Sequence, residues 1–286
     1  MISVVVPAHN ESTVIARTLK PWVSGSGSED ISVVVVCNGC TDETASIARR
    51  FGPTVRVVDT GIASKIHALN LGDQTSSIFP RIYVDADIVI TADALRALAD
   101  RLRRGDVLAV APTPDVDLTG CSWPVRLYFS IRDRLPSARQ GFGGSGVYAL
   151  SEAGRRRFAQ FPDVIADDTF VRLQFRPDER ETLTSVKSKV FPARTIRQLI
   201  AVRTRAHAGT FELIRRFPEL SANRGETNKR VLIGLFKHPR LWPGLAIFCY
   251  VNIVARCRAV VRSRARAAVW QRDDTSRVAL SADSSK

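Results

Sequence analysis

The sequence predicts an α/β fold: a mostly parallel sheet with helices on both faces, followed by a C-terminal helical segment close to a membrane. Three observations predict it. Short apolar runs alternate with segments of helical periodicity over the first 111 residues. Those runs are apolar throughout, with no polar alternation, as strands covered on both faces are. Polar and acidic residues follow several of the runs directly, where such a sheet places its ligand. The chain has 286 residues, 45% hydrophobic and 24% charged, which is globular composition and excludes a disordered or fibrous protein.

Residues 2–6 are a β-branched run closed by Pro7, read as a buried strand. Asn10 or Ser12 is placed to cap a helix carrying Val14, Ile15 and Leu19. A Ser/Gly loop at 24–30 leads to a second apolar strand, 31–36, and the turn Cys37-Asn38-Gly39-Cys40. Thr41 is read as the cap of a helix reaching Phe51. A third strand covers 54–58, a helix starts at Lys65, and a fourth strand, 81–84, ends at Asp85. A helix over 92–103 and strands at 107–111 and 147–150 complete the pattern.

Several classes drop out. No GxGxxG follows the first strand and no GxxxxGK[ST] occurs, which argues against a nicotinamide Rossmann enzyme and a P-loop NTPase. The run Gly141-Phe142-Gly143-Gly144-Ser145-Gly146 leads into an apolar strand instead of a helix, so it is a different device. Cys37 and Cys40 form a lone CxxC and read as the end of a strand and a small turn residue, in a chain of five reduced thiols. The N-terminus carries no basic leader before its short apolar run, which predicts chemistry facing the cytoplasm.

Asp85-Ala86-Asp87 carries the most chemistry. Two carboxylates at i and i+2 after a buried strand can share a divalent cation, or divide a ribose hydroxyl and a cation between them, the cation bridging to a diphosphate. A second pair, Asp115 and Asp117, follows prolines in what reads as a loop and is given no role.

Several segments then fall into a familiar order: Val4–Glu11, Val36–Thr44, Lys65–Asn70, Asp85–Asp87, the glycine-rich run and Ala166-Asp167-Asp168. In order and spacing the chain resembles family 2 glycosyltransferases of the GT-A fold over about residues 1–210. The resemblance implies that Pro7, Ala8, Asn10, Glu11, Asn38 and Asp42 hold the base and ribose of a nucleotide-sugar, with Lys65 near the diphosphate and Gly143 and Gly144 close to the donor sugar. It implies Asp87 as a ligand of Mn²⁺ or Mg²⁺, Asp85 at the ribose or the metal, and Asp168 as the general base of an inverting transfer. The adjacent Asp167 would help by repulsion, although an acidic pair also suits a helix N-terminus. UDP is the favoured nucleotide. The domains are read as a catalytic unit at 1–210, split near 111 into nucleotide and acceptor halves, a basic helical tail at 211–270 and a disordered end at 271–286.

Two departures from the family pattern matter. Processive relatives carry Gln-x-x-Arg-Trp, whereas Val202-Arg203-Thr204-Arg205-Ala206 keeps only Arg205, which argues for transfer of one sugar at a time. Arg203 or Arg205 would clamp the diphosphate, with Arg205 preferred, and His207 is the candidate late metal or phosphate ligand. His9 and His67 are given no role.

The net charge is +14, and all of the excess lies in residues 194–272, which hold 17 basic and 3 acidic side chains. Residues 241–255 carry no charge and stand between His238 and Arg240 on one side and an arginine cluster on the other. That pattern suits a segment lying in an anionic membrane surface, with a helix buried against the domain as the bland alternative. The expectation is a peripheral enzyme on the inner face of the cell membrane, passing a sugar to a hydroxyl acceptor, possibly lipid-linked. A retaining transferase, or a basic nucleotide- or nucleic-acid-binding protein, are the alternatives. The last leaves Asp85, Asp87 and Asp168 unused and finds no aromatic-basic interleaving, so no nucleic acid is expected.

Overall fold

The structure is a computed structural model that describes residues 1–23, 30–225 and 228–264. The end at 271–286 and most of the loop at 24–30 lie outside the described residues. Seven strands form one sheet: β1 Ile2–Ala8, β2 Ile31–Asn38, β3 Val55–Thr60, β4 Arg81–Val84, β5 Ala109–Val116, β6 Val147–Leu150 and β7 Arg180–Val190. Their order is β3-β2-β1-β4-β6-β5-β7. The helices are α1 Ile15–Val23, α2 Thr44–Arg49, α3 Lys65–Thr75, α4 Ala92–Arg103, α5 Trp123–Arg132, α6 Pro136–Arg139, α7 Glu152–Arg155, α8 Asp167–Leu173, α9 Ile196–Arg216, α10 Lys229–Leu235 and α11 Trp242–Arg264.

β1 to β4 pair in parallel, β5 pairs in parallel with β7, and β6 alone runs against both its neighbours. The core shows why. Val4, Val6, Val33, Val35, Ile82 and Val84 face one buried cluster, while Val5, Tyr83, Ala109 and Leu150 face another, so both faces of these strands exclude water. Because β6 is reversed, the glycine-rich run that precedes it lies at the carboxyl ends of the parallel strands.

The chain runs outward from β1 through β2 to β3 and then returns to β4 on the other side of β1. That reversal is a topological switch point, where a crevice opens at the carboxyl ends. The register shows how it opens. β1 stays paired with β2 as far as Ala8 and Cys37, but with β4 only as far as Val5 and Tyr83. Pro7, with no N–H to donate, lies just beyond that last pair.

Three differences from the sequence reading have a local cause. The second helix starts at Thr44, not after Thr41, because Asp42 Oδ1 accepts from the Thr44 N–H at 3.0 Å. Asn10 does not cap α1; its Oδ1 accepts from the Thr41 N–H at 2.8 Å, across to the next loop. Asp115 belongs to β5 and is not in a loop, since the strand continues to Val116 beside β7.

Candidate functional site

A cleft of about 380 Å³ lies at the switch point. Strand ends and the loops after them contribute Pro7, His9, Glu11, Asn38, Asp85 and Asp87. The glycine run adds Gly143, Gly144 and Gly146; α3 adds Lys65, and α8 adds Asp167 and Asp168. The opposite wall is helical and largely apolar: Tyr128, Phe129 and Arg132 of α5, Phe191 to Ala193 after β7, and Leu199, Val202, Arg203, Arg205 and Ala206 of α9.

Local chemistry holds the acidic turn after β4 in place. Side chains of α1 reach three of its carbonyls: Thr18 Oγ1 donates to Ala86 at 2.7 Å, Arg17 Nη2 to Asp87 at 3.2 Å and Trp22 Nε1 to Ile90 at 2.8 Å. Ala86 and Ile88 are buried between these anchors, so Asp85 and Asp87, two residues apart, are left half-buried at the cleft. The Asp85 N–H donates to the Gly146 carbonyl at 2.9 Å, which ties the turn to the glycine run. Gly146 has φ +64°, and a Cβ there would come within 2.5 Å of Ile88, so only glycine fits. Gly143, φ +82°, faces Asp168: a Cβ would stand 3.5 Å from Asp168 Oδ2.

Lys65, Asp85 and Asp167 form a partly buried charge cluster, with Asp167 its buried member. Lys65 Nζ lies 2.8 Å from Asp85 Oδ1 and 3.1 Å from Asp167. Burial alone would lower the lysine pKa, but Asp167 and Asp85 more than offset it and hold the ammonium firmly protonated. Burial pushes the Asp167 carboxyl up to about 6, against the pull of Lys65 and helped by Asp168 and Asp85. Asp167 and Asp168 do open α8, as a helix-dipole role requires, and they also face the cleft.

Most of the sequence-derived candidates meet here: Pro7, Glu11, Asn38, Lys65, Asp85, Asp87, Gly143, Gly144, Asp168 and Arg205 all line the cleft. Four do not. Ala8 is buried in β1. Asn10 and Asp42 join the two loops to each other, Asp42 through Thr44 and the Ser12 N–H at 3.1 Å. His207 is turned away: it stacks on Phe211 with centroids 6.3 Å apart, and its Nε2 is buried without a hydrogen-bond partner. Burial, with Arg203 adding to it, pulls the His207 pKa down to about 4.

Sequence reasoning also missed residues. His9 lines the cleft and its Nδ1 donates to the Asn38 carbonyl at 2.6 Å. Arg132 and the aromatic pair Tyr128 and Phe129 carry no motif, and only the folded chain brings α5 to the site. Among the described residues no group of three or more His, Cys, Asp or Glu side chains is placed to hold a metal ion. Asp85 and Asp87 alone therefore suit a hard cation that takes one or two carboxylates and completes its shell with substrate phosphates, the habit of Mg²⁺ and Mn²⁺.

Residues 3–160 match the family model described as Glycosyl transferase family 2. The 4,4'-diaponeurosporenoate glycosyltransferase of Staphylococcus aureus (strain MRSA252) is 33% identical over 105 residues, which is 35% of this chain and 28% of that protein. Among solved structures, the mannosyltransferase PcManGT from Pyrobaculum calidifontis, in complex with GDP-Man and Mn²⁺, superposes with a TM-score of 0.57. It is 22% identical, over 94% of this chain and 76% of that one. Glucosyl-3-phosphoglycerate synthase of M. tuberculosis gives 0.53 at 22% identity, covering 76% of this chain and 80% of the other. At these identities the structural likeness establishes the shared fold.

Proposed function

The chain belongs to Glycosyl transferase family 2, and from that premise we propose that it is a metal-dependent inverting transferase that moves a single sugar from a nucleotide-sugar to an acceptor hydroxyl. One observation carries the reading: Asp85 and Asp87 from the turn after β4 and Asp168 from α8, far apart in sequence, face one cleft at the switch point.

The base and ribose sit against Pro7, Glu11 and Asn38, where β1 and β4 part. Asp87 holds the cation, with Asp85 as second ligand or as the ribose contact, and Arg205 reaches the diphosphate from the rim. When bound, Mn²⁺ or Mg²⁺ neutralises charge on the departing diphosphate. Asp168 stands beside Gly143, where the absent side chain leaves room for the donor sugar. The acceptor oxygen attacks the anomeric carbon as its proton passes to Asp168. The bond from that carbon to the diphosphate breaks, and the nucleoside diphosphate leaves with the electron pair. The sugar is inverted in this single displacement. Lys65, ion-paired with Asp85 and Asp167, holds both carboxylates in position beside the diphosphate. UDP-sugars are the first donor candidates, with GDP-sugars next because a structural neighbour holds GDP-Man.

The enzyme works at the cytoplasmic face of an anionic membrane on a lipid-linked or cell-surface glycan acceptor. Support comes from Pro239–Arg262, the one stretch among the described residues that is long and apolar enough to cross a membrane, with only 28% of its apolar window buried. The test is a thermal-shift panel of UDP-, GDP- and dTDP-sugars with and without Mn²⁺. A true donor at a hundred times its Kd stabilises by about 2.7 kcal/mol, and Asp87→Ala should abolish the metal-dependent part. Donor stabilisation that survives EDTA, or a product of retained anomeric configuration, refutes the metal or the inverting step respectively.

A further inference from the structure

The helical wall of the cleft carries two partly buried positive charges that the mechanism above does not use. Arg132 closes α5 and its side chain is only 18% exposed. Its one acidic neighbour among the described residues is Asp133, 3.9 Å away and itself 53% exposed. Arg203 of α9 lines the same cleft, and its Nε is buried with no hydrogen-bond partner. The two guanidiniums feel each other: burial pulls the Arg132 pKa down, and Arg203 lowers it further. Gly144 makes room for the first of them, since a Cβ there would stand 3.1 Å from Arg132 Nη2.

Two partly buried, mutually repelling cations, with no buried carboxylate between them among the described residues, become favourable when an anion lies across them. Guanidinium forks suit the planar or tetrahedral oxygens of a carboxylate or phosphate. The donor diphosphate is provided for elsewhere, by the cation of Asp85 and Asp87 at the strand ends and by Arg205 at the rim. Around Arg132 and Arg203 the wall is apolar instead: Tyr128, Phe129, Phe191, Leu199 and Val202. Behind that wall, α11 packs on both α5 and α9.

We infer that Arg132 and Arg203 form an oxyanion-binding acceptor subsite, and that the acceptor is an amphiphile whose carboxylate or phosphate lies on this pair while its apolar part runs along Tyr128, Phe129, Leu199 and Val202. The inference deepens the transferase reading and rests on it, for it names the chemical class of the molecule that receives the sugar.

The test is calorimetric titration of the full chain with octyl phosphate, octanoate and octanol, and separately with UDP or GDP plus Mn²⁺. The wild-type protein should bind octyl phosphate or octanoate at least about tenfold more tightly than octanol, and whichever anion binds more tightly identifies the head group. Arg132→Gln and Arg203→Gln should each weaken that anion about tenfold and leave nucleoside diphosphate binding within about twofold. Arg56→Gln, an exposed charge on β3, should change neither. Arg132→Lys keeps the charge and loses the fork, and covers the case in which Arg132→Gln does not fold. Equal binding of anion and alcohol overturns the inference, as does anion binding unchanged in both Gln variants. So does a loss of nucleoside diphosphate affinity as large as the loss of anion affinity, since the pair then belongs to the donor. Failure of the wild type to bind any nucleoside diphosphate refutes the transferase reading instead, and the octyl phosphate arm stays readable without it.

Discussion

Lys65 Nζ and the Asp167 carboxylate are 102 residues apart in the chain and 3.1 Å apart in the cleft, with the carboxylate only 7% exposed. The pair clips the start of α3 to the start of α8, and so joins the β1–β4 half of the sheet to the helix that carries Asp168. Removing one member of a buried pair leaves the other charge uncompensated, which costs more than the pair itself contributes. Lys65→Met should therefore lower stability by about 2–3 kcal/mol, somewhat below the fully buried case because Lys65 is 26% exposed. Urea unfolding measures it. An unchanged midpoint would mean that Asp167 takes up a proton at no cost and that the clip is idle.

Asp168 faces Gly143 from the first turn of α8, and its Oδ1 accepts from the Thr169 N–H at 2.6 Å. That bond orients one oxygen and leaves Oδ2 toward the glycine. Asp168→Asn preserves the shape and removes the proton acceptor, so kcat should fall by about 10²–10⁴ while the donor Kd stays the same. Initial rates and donor titrations on one preparation separate the two quantities. A variant that loses donor binding as well places Asp168 at the diphosphate or the metal, not at the acceptor.

What could be read from the chain follows from what is local. Continuous β-branched runs betray strands buried on two faces, and the acidic or glycine-rich segments after them mark the carboxyl ends, so the fold and the positions of Asp85, Asp87 and Asp168 were legible. The candidates that the fold sets outside the cleft are side chains whose position depends on remote partners. Asn10 and Asp42 sit inside the right motifs, yet they bind the opposite loop and not the cleft. His207 has a plausible offset from Arg205, but a step of two residues carries a side chain more than halfway round a helix, and its own face meets Phe211 and, on α11, Asn252 and Arg256. Arg132 belongs to no spacing pattern; its significance appears only when α5 and α9 are seen to share a wall.

His207 gives a pH dependence with a definite sign. Burial and Arg203 hold its folded-state pKa at about 4, below the ordinary 6.5. Between those values the unfolded chain binds the proton and the folded chain does not, so stability is full above pH 6.5 and falls as pH drops toward 4. The facing charges are Arg203 and Arg256, both positive, so neither relieves the penalty. Because the residue is only partly buried, the loss should be about 1–2 kcal/mol. His207→Gln should flatten the Tm profile between pH 4 and 6.5 and leave the response to Mn²⁺ unaltered. A variant that loses its response to Mn²⁺ would restore His207 as a metal ligand.

The membrane assignment turns on which face of α11 is free. Leu245, Val251, Ala255 and Ala259 are buried, and the helix packs through this stripe on α9 and α5. On the other side Trp242, Ala246, Tyr250, Ile253, Cys257 and Val261, three or four residues apart, form an exposed stripe, and every member except Ala246 and Cys257 is a large hydrophobic. Exposed Ile233 and Phe236 on and beside α10 extend the apolar surface, with Lys237, Arg240, Arg256 and Arg258 around it. One face packed and one face apolar suits a helix lying on a bilayer better than one surrounded by lipid. Deleting α11 would expose the stripe it covers on α5 and α9 and confuse lost anchoring with unfolding. Tyr250→Glu with Ile253→Glu changes only the free face. That variant should keep its Tm within about 2 °C, since surface changes are usually within about 0.5 kcal/mol. It should also lose most of its cosedimentation with vesicles containing an anionic lipid, and raising the salt should weaken wild-type binding as the arginine contribution is screened. Wild-type protein that stays in the supernatant with anionic vesicles at low salt would leave the stripe to a protein partner and remove the membrane from the proposal.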